Sequence, residues 1–317
     1  DQECAAQLRR LRKRNVIKKP DFRVLINHRI CEACGDCGEV SNCLSVQNRE
    51  TILGPKALIE QDSCNFDASC INGDCPSFMT VEIDPEIPNM GVLKNKEGIN
   101  LPNPDIKVPI DNLDLRIAGI GGTGVVTAAQ ILATAAMLDG FEVRGLDQTG
   151  LSQKAGPVVS DLRLTRDTPS PSNLLMQQSA DVLIGFDLLV AASDKALEVA
   201  TDAKTILVSS ETPTPTGAMI GNPLESLPTV ESLLERLANR IASESSYLVD
   251  AGRYCTDLLG SVTSSNIFIL GVSVQLGVLP VSPEAFMKAI ELNNVNVQGN
   301  LAAFHWGRTW AFDSEYV

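Results

Sequence analysis

Seven of the nine cysteines in this 317-residue chain lie in one short stretch, Cys31 to Cys75. They form two runs with the spacings C-x2-C-x2-C-x5-C and C-x2-D-x2-C-x4-C-P. The members in chain order are Cys31, Cys34, Cys37 and Cys43, then Cys64, Asp67, Cys70 and Cys75. Thiolates repeated every three residues direct successive sulfur atoms at one iron–sulfur cluster, and a more distant cysteine completes the ligand set. The spacing therefore predicts two iron–sulfur clusters.

The order of the cysteines also predicts which residues share a cluster. In two-cluster ferredoxins the fourth cysteine of each run binds the cluster of the other run. That rule gives a 4Fe-4S cluster held by Cys31, Cys34, Cys37 and Cys75. The second set is Cys64, Asp67, Cys70 and Cys43.

Asp67 stands where the middle cysteine of the second run is expected. Its carboxylate either binds iron in a four-iron cluster or stays unbound beside a 3Fe-4S cluster. A third reading is that it faces solvent and begins a turn, a common role of aspartate in loops.

Two other uses of cysteine fit the pattern less well. Zinc sites usually show two C-x2-C pairs with a longer spacer, rather than three cysteines in one run. Disulfides are disfavoured because seven is odd and the N-terminal residues do not resemble a secretory segment. A cytoplasmic location is expected, and Cys255 is expected to be a buried core thiol.

A glycine-rich turn is the second chemical pattern, Gly119-x-Gly121-Gly122-Thr123-Gly124, between a predicted strand and a predicted helix. Glycines there let backbone N–H groups approach an anion at the helix N-terminus. A dinucleotide site also needs an acidic residue at the end of the second strand, about 20 residues on. Asp147 lies past that point, in a predicted glycine-bounded loop. A diphosphate-bearing ligand or a partner-facing turn is therefore favoured over NAD or FAD.

The cysteine runs require strands to position them, and a duplicated pattern supplies these. Strands are predicted at 23–27, 57–60 and 80–83, each beside a cysteine run. This internal repeat predicts a small α+β two-cluster ferredoxin-like domain over 21–83. A basic arm (1–20) precedes it, and a proline-rich linker strap (84–110) follows.

Residues 111–317 alternate between strand and helix patterns, which predicts an α/β domain with a doubly wound, Rossmann-like parallel sheet. The predicted strands are 115–120, 141–144, 158–163, 181–185, 205–208 and 247–249. The predicted helices are 125–138, 188–200, 229–243, 267–277 and 283–292.

Charge and hydropathy narrow the classes of partner. The net charge of −13 argues against nucleic acid, and no apolar run is long enough to predict a membrane span. The arm over residues 1–20 carries +5, from seven basic and two acidic side chains. It is read as a solvated arm or as a segment that lies on an acidic partner surface.

Several segments carry a family resemblance. Residues 117–127 (IAGIGGTGVVT), 145–150 (GLDQTG) and 152–156 (SQKAG) resemble the gamma domain of 2-oxoacid:ferredoxin oxidoreductases. The cysteine block, with CNFDASC at 64–70, and the tail at 291–293 and 300–308 resemble the long, fused indolepyruvate branch. His305 departs from that pattern, where arginine is expected.

The resemblance implies oxidative decarboxylation of an aryl 2-oxoacid such as indolepyruvate, with thiamine diphosphate, Mg and coenzyme A, and with ferredoxin as electron acceptor. This chain lacks a GDG-like diphosphate–magnesium motif, so it is expected to be the electron-transfer and gamma part of an oligomeric enzyme. Thiamine diphosphate would then bind to partner domains or a partner subunit, and no catalytic residue is assigned here.

The same resemblance implies roles for particular residues. The glycine turn and the loop from Asp147 to Gly156 would touch coenzyme A or cofactor phosphates, through Asp147, Gln148, Thr149 and Lys154. Cys4 is proposed as a remote ligand for a cluster on the partner segment. Two rival classes stay open: a nucleotide-dependent (NAD or flavin) iron–sulfur reductase, and a non-catalytic electron-carrier subunit.

Overall fold

A computed structural model of the chain describes residues 7–8, 11–12, 14, 16–18, 20–43, 45–61, 63–84, 99–150, 156–166, 172–212, 214, 216, 219 and 228–317. These residues group into two compact units. Unit 1 takes the described residues up to 84, with 216 and 219, and unit 2 takes the rest. None of the helices among the described residues is long and apolar enough to cross a membrane.

Unit 1 contains two antiparallel strand pairs. Strand β1 (Phe22–Ile26) pairs with β4 (Phe78–Glu82), and β2 (Val46–Thr51) pairs with β3 (Gly54–Ile59). Helix α1 (Asp36–Ser41) lies within the first cysteine run and contains Cys37. A 3-10 turn over Ser69–Ile71 takes the same place within the second run and contains Cys70. Each cysteine run thus leaves a strand and enters a short helical turn.

The core of unit 1 is built largely from cysteine side chains. Four buried thiols pack with a few aliphatic residues from the strands: Cys31, Cys37, Cys43, Cys70, Val24, Ile26, Val46, Ala57 and Ile59. Domains this small bury little apolar surface and commonly depend on disulfides or metals for stability. All cysteines among the described residues are free thiols, so no disulfide joins the described part of this unit.

Unit 2 is a six-stranded sheet flanked by helices, as the alternating pattern predicts. Its strands are β5 (Asn112–Ile120), β6 (Glu142–Thr149), β7 (Pro157–Thr165), β8 (Val182–Gly185), β9 (Ile206–Ser210) and β10 (Ser246–Val249). They lie in the order β10-β9-β8-β5-β7-β6. The pairs β10–β9, β9–β8 and β8–β5 are parallel.

The prediction of a fully parallel sheet is wrong at β7. This strand pairs antiparallel with both β5 and β6. Parallel neighbours need a crossover of a dozen or more residues, usually through a helix. Only residues 150–156 separate β6 from β7, so the chain must turn back on itself there.

The prediction that Asp147 lies in a loop is also wrong. Strand β6 continues through Gly145 to Thr149, and Asp147 pairs with Ser160 of β7. Gly145 lies inside the strand, where the absence of a side chain leaves room for the side chain opposite it. A Cβ at that position would lie 3.0 Å from Leu162 Cδ2, the side chain opposite it in the register.

Helices of unit 2 cover the sheet. They are α2 (Val125–Leu138), α3 (Leu188–Ala191), α4 (Asp194–Leu197), α5 (Val230–Ala238), α6 (Ala251–Leu259), α7 (Ser265–Gln275), α8 (Pro283–Asn293) and α9 (Val297–Phe312). The predicted helix over 188–200 is two short helices, because Ser193 caps the second by accepting a hydrogen bond from the Ala196 N–H. Sequence patterns did not predict α6 or α9.

Helices α7 and α9 pack with their backbones in close contact. A Cβ at Gly271 would collide with the Phe304 carbonyl, and one at Gly307 would collide with the Phe268 carbonyl. These glycines weaken helix propensity but permit the approach. The close contact compensates for the low helix propensity of Gly307, so α9 forms a helix of 16 residues.

Residues 99–110 form an extended segment that lies against α7 and α9. The Lys107 N–H donates to the Gly277 carbonyl at 2.8 Å, and the Pro102 carbonyl accepts from Gln275 and Arg308. Val108 is buried. This part of the predicted strap is therefore fixed to unit 2.

Candidate functional site

The two cysteine runs adopt the same backbone conformation. In the first, Ala33 and Gly35 have positive φ angles of 56° and 85°. In the second, Phe66 and Ala68 have positive φ angles of 57° and 55°. Residues other than glycine rarely adopt this region. The shared conformation therefore indicates one loop design used twice.

Hydrogen bonds to sulfur repeat as well. The Ala33 N–H donates to Cys31 Sγ at 3.4 Å, and the Phe66 N–H donates to Cys64 Sγ at 3.4 Å. Superimposing the runs by these bonds places Asp67 at the position of Cys34. Asp67 thus takes the structural place, as well as the sequence place, of a cysteine.

The first ligand set comes together around Cys37. Burial is the main cause that raises the pKa of this thiol to about 11, and the nearby charges of Cys31, Cys34 and Cys75 add to the effect. Cys75 belongs to the second run, so the two runs cross. Cys75 Sγ also lies 2.9 Å from Ser77 Oγ.

The second ligand set comes together around Cys70. Burial mainly raises the pKa of this thiol to about 11, with further contributions from the charges of Cys43, Cys64 and Asp67. Burial also raises the pKa of Cys64. Cys43, Cys64, Asp67 and Cys70 line one cavity, and most of its other lining residues are apolar side chains from the strands and from the second cysteine run.

Asp67 is held in place by its own loop. Its Oδ1 accepts from the Ser69 N–H at 3.1 Å and from Ser69 Oγ at 2.9 Å. The first of these bonds is the local turn contact that aspartate often makes. The carboxylate nevertheless lines the cavity with Cys43, Cys64 and Cys70. Asp67 therefore forms the turn and borders the cavity.

No three His, Cys, Asp or Glu side chains among the described residues are grouped closely enough to hold a single metal ion. Cys255 lies apart in unit 2, fully buried, as predicted for a core thiol. Cys4 lies outside the described residues, and its proposed role stays a prediction.

The glycine-rich turn of unit 2 shows two different uses of glycine. Gly119 and Gly121 permit close packing: a Cβ would lie 2.8 Å from Val125 Cγ2 in one case and 3.0 Å from the Gly156 carbonyl oxygen in the other. Gly122 and Gly124 instead have φ angles of 91° and 94°, a backbone conformation that residues other than glycine rarely adopt.

The turn leaves the start of α2 open. Gly122, Thr123 and Gly124 are exposed, and none of the described side chains caps the helix. The Thr123 carbonyl accepts a hydrogen bond from Asn266 Nδ2 at 3.1 Å. The first backbone N–H groups of α2 are thus available to an anion.

The second predicted segment meets this turn at the same edge of the sheet. The Gly121 N–H donates to the Gly156 carbonyl at 2.7 Å, and Thr149 pairs with Val158 close by. Gln148 Nε2 is buried and has no hydrogen-bond partner among the residues that the structure describes. Asp147 instead accepts from Ser160 Oγ at 2.6 Å. Lys154 lies outside the described residues.

Sequence reasoning missed one buried acid at this edge, Asp187. It follows β8, and burial raises its pKa to about 6. Its carboxylate caps α3 by accepting from the Val190 N–H at 3.0 Å. The aspartate placed just before a short helix was the available signal. This hydrogen bond explains the buried Asp187 carboxylate as a helix cap.

Sequence reasoning also missed two cations beside the cysteine runs, Arg23 and Lys56. Lys56 Nζ donates to the Cys31 carbonyl at 2.6 Å, and the Arg23 guanidinium lies over the Phe66 ring. Their matching places at the start of the two repeats were the signal that could have found them.

Unit 2 is thus an α/β domain of the doubly wound class with a glycine-rich turn after its first strand. The family model of pyruvate ferredoxin/flavodoxin oxidoreductases matches residues 114–310. The chain belongs to this 2-oxoacid:ferredoxin oxidoreductase family. The matched range excludes both cysteine runs.

The chain is also similar to individual proteins. The chain is 25% identical over 193 residues to indolepyruvate oxidoreductase subunit IorB of Pyrococcus horikoshii, covering 60% of this chain and 92% of the relative. It is 26% identical over 199 residues to the pyruvate/ketoisovalerate oxidoreductases common subunit gamma of Thermococcus litoralis, covering 61% and 95%. The crystal structure of pyruvate oxidoreductase subunit PORC of Thermotoga maritima aligns with a TM-score of 0.45 and 19% identity, over 63% of this chain and 96% of that one.

Proposed function

We propose that this chain is the electron-transfer and gamma part of a 2-oxoacid:ferredoxin oxidoreductase, in which unit 1 is a two-cluster ferredoxin-like module. The observation that carries the proposal is the crossed grouping of ligands. Cys43 of the first run lines one cavity with Cys64, Asp67 and Cys70 of the second set. The charge of Cys75 of the second run acts on Cys37 of the first set. This exchange is the arrangement used by proteins with two clusters.

The donor set fits iron–sulfur clusters. Soft thiolates suit such clusters, and the cavity beside Asp67 is lined by three thiols and one carboxylate. When bound, each cluster would accept and pass on one electron at a time. The protein's part is to exclude water from the buried thiols and to hold their sulfur atoms by N–H donors such as those of Ala33 and Phe66.

Burial of these thiols implies that loading is coupled to proton release. The pKa of Cys37 and of Cys70 is about 11, so both thiols are protonated at neutral pH without a cluster. Ligands must be thiolates, so cluster binding displaces those protons. Unit 1 is therefore expected to depend on its clusters for stability, since the same thiols form its core.

The substrate is proposed to be an aryl 2-oxoacid such as indolepyruvate. Three curated relatives named as indolepyruvate oxidoreductase subunits support this choice. In the proposed assembly, partner domains or a partner subunit bind thiamine diphosphate with Mg. Electrons leave through unit 1 to a ferredoxin, and the acyl group passes to coenzyme A.

The glycine-rich edge of unit 2 is proposed to contact phosphate groups of coenzyme A or of the diphosphate cofactor. Two features support this role: the open N-terminus of α2, and Gln148 Nε2, which is buried without a partner in the described part of the chain. Lys154, in the segment that joins β6 to β7, is proposed as a further phosphate contact.

Anaerobic reconstitution with iron and sulfide tests the cluster proposal. We expect about eight irons per chain, or about seven if the Asp67 site holds three. Cys43→Ser should remove the cluster of the second run, and Cys75→Ser should remove that of the first. Cys255→Ser is the matched control, because this thiol lies in the core of unit 2, and it should keep the full iron content. Binding of zinc in place of iron would contradict the proposal. So would a variant that loses the cluster of the run in which its substituted cysteine lies and keeps the other cluster.

A further inference from the structure

The duplication of unit 1 includes a basic residue in each repeat. The first repeat reads Arg23-Val-Leu-Ile ahead of Cys31, and the second reads Lys56-Ala-Leu-Ile ahead of Cys64. Each cation stands at the same distance before the first cysteine of its own run. Arg23 lies in β1 and Lys56 in β3, which are the strands that lead into the two runs.

Lys56 does not serve its own run. Its ammonium group donates to the carbonyl of Cys31, in the other repeat, at 2.6 Å. The next residue, Ala57, donates its N–H to Cys31 Sγ at 3.4 Å. Strand β3 of the second repeat therefore brings one charge and one N–H donor to the first run.

Arg23 crosses in the opposite direction. Its guanidinium carbon lies 4.4 Å from the centroid of the Phe66 ring, in the second run. Phe66 is the residue whose N–H donates to Cys64 Sγ. Carbonyls of Pro20 and Phe22 hold the guanidinium at 3.4 and 3.1 Å.

We propose that Arg23 and Lys56 are crossed tuning residues, each of which raises the reduction potential of the cluster held by the other repeat. This inference rests on the clusters proposed above. Reduction adds one electron and hence one negative charge to a cluster, with no bond made or broken. A fixed cation close by stabilises the reduced form more than the oxidised form, and net charge is a known determinant of cluster potential. Both side chains are only partly exposed, so salt screens them less than surface charges.

A redox titration of the reconstituted full chain, followed by electron paramagnetic resonance, tests the proposal. Lys56→Gln should lower the equilibrium constant for reducing the four-cysteine cluster about tenfold, which is 59 mV for one electron. Arg23→Gln should do the same to the Asp67 cluster. In each variant the other cluster should keep its potential.

Matched controls separate a local effect from a change in total charge. Arg49 pairs directly with Lys56 across β2 and β3 but is exposed, so Arg49→Gln removes the same charge without the contact. Lys18→Gln plays this part for Arg23, because the Lys18 side chain is 86% exposed. Both controls should leave both potentials unchanged. The charge-retaining variants Arg23→Lys and Lys56→Arg should restore most of each potential.

The outcomes are distinct. Three results would overturn crossed tuning while leaving the proposed clusters in place. The reduction potential could shift for the cluster of the residue's own repeat, it could shift equally for both clusters, or it could shift no more than in the controls. Absence of iron from the wild-type chain would overturn the proposed function itself. Where Arg23→Gln or Lys56→Gln removes a cluster altogether, iron analysis identifies which one is lost. Loss of only the cluster of the other repeat, together with its retention in the charge-retaining variant, supports the assignment. Loss of the uncrossed cluster contradicts it.

Discussion

Asp67 occupies in the second cysteine run the place that Cys34 occupies in the first. The two positions lie between residues of positive φ in both runs, and Ser69 fixes the Asp67 carboxylate beside the cavity. Oxygen is a harder ligand than thiolate and holds iron of a cluster less firmly. One corner of the second cluster is thus expected to be its weakest point.

Oxidation should reveal that weak corner. Electron paramagnetic resonance of the air-exposed wild-type chain should show a three-iron signal, and Asp67→Cys should abolish it while the other cluster's signal persists. Asp74→Asn is the control, since Asp74 is an exposed carboxylate of the same run, and it should behave as wild type. Identical spectra and iron content for wild type and Asp67→Cys would show that Asp67 does not bind iron.

At the scale of elements, close packing of α7 on α9 supports the edge of the sheet that carries the glycine-rich turn. Asn266, in the first turn of α7, binds the carbonyl of Thr123 in that turn. Gly271 and Gly307 set how near the two helices approach. Changes in this packing should therefore be felt in the stability of unit 2.

Gly307→Ala should lower the free energy of unfolding of unit 2 by about 1–3 kcal/mol, which is the usual cost of overpacking. The added methyl would meet the Phe268 carbonyl, which is backbone and cannot turn aside. Gly252→Ala is the matched control. A Cβ there would lie 3.5 Å from Thr212 Oγ1, in ordinary contact, so we expect no loss. Chemical denaturation followed by tryptophan fluorescence measures both, and equal stability of the two variants would contradict the packing argument.

The strand order predicts that unit 2 does not bind NAD. The ribose of NAD needs an acidic residue at the end of the second strand, beside the first. Here β7 lies next to β5 and runs antiparallel, so it presents its beginning, Pro157, at that edge. Titration of NADH into the full chain in a calorimeter should show no saturable binding. A micromolar Kd would contradict this and favour a nucleotide-dependent reductase.

The sequence predicts elements well where a pattern is local. Helix α2 runs from Val125 to Leu138, as predicted, and each predicted strand of unit 2 is present. The direction of β7 depends on the length of a connection, and helix α9 depends on contacts that compensate its glycines. Neither property is visible in a local pattern.

The same distinction applies to the candidate site. Spacing was enough to propose two ligand sets, because cysteines three residues apart must share a turn. The positions of Arg23 and Lys56 beside the opposite runs follow from how the repeats pack on each other. A sequence read along one repeat shows only the cation of that repeat.

At the scale of the whole molecule, the two units differ in how they achieve stability. Unit 2 has a large aliphatic core in which Cys255 is the one cysteine, whereas the core of unit 1 is built around four thiols. The family match covers most of unit 2 and neither of the cysteine runs of unit 1. The role of unit 1 in electron transfer therefore depends on direct measurement of its clusters.

Rapid-freeze electron paramagnetic resonance of the complete assembly, mixed with an aryl 2-oxoacid and coenzyme A, tests the central claim most directly. We predict that both clusters of this chain become reduced within the turnover time of the enzyme. Cys43→Ser should remove one of the two signals and slow reduction of ferredoxin. Full turnover with ferredoxin, while the clusters of this chain stay oxidised, would contradict the account.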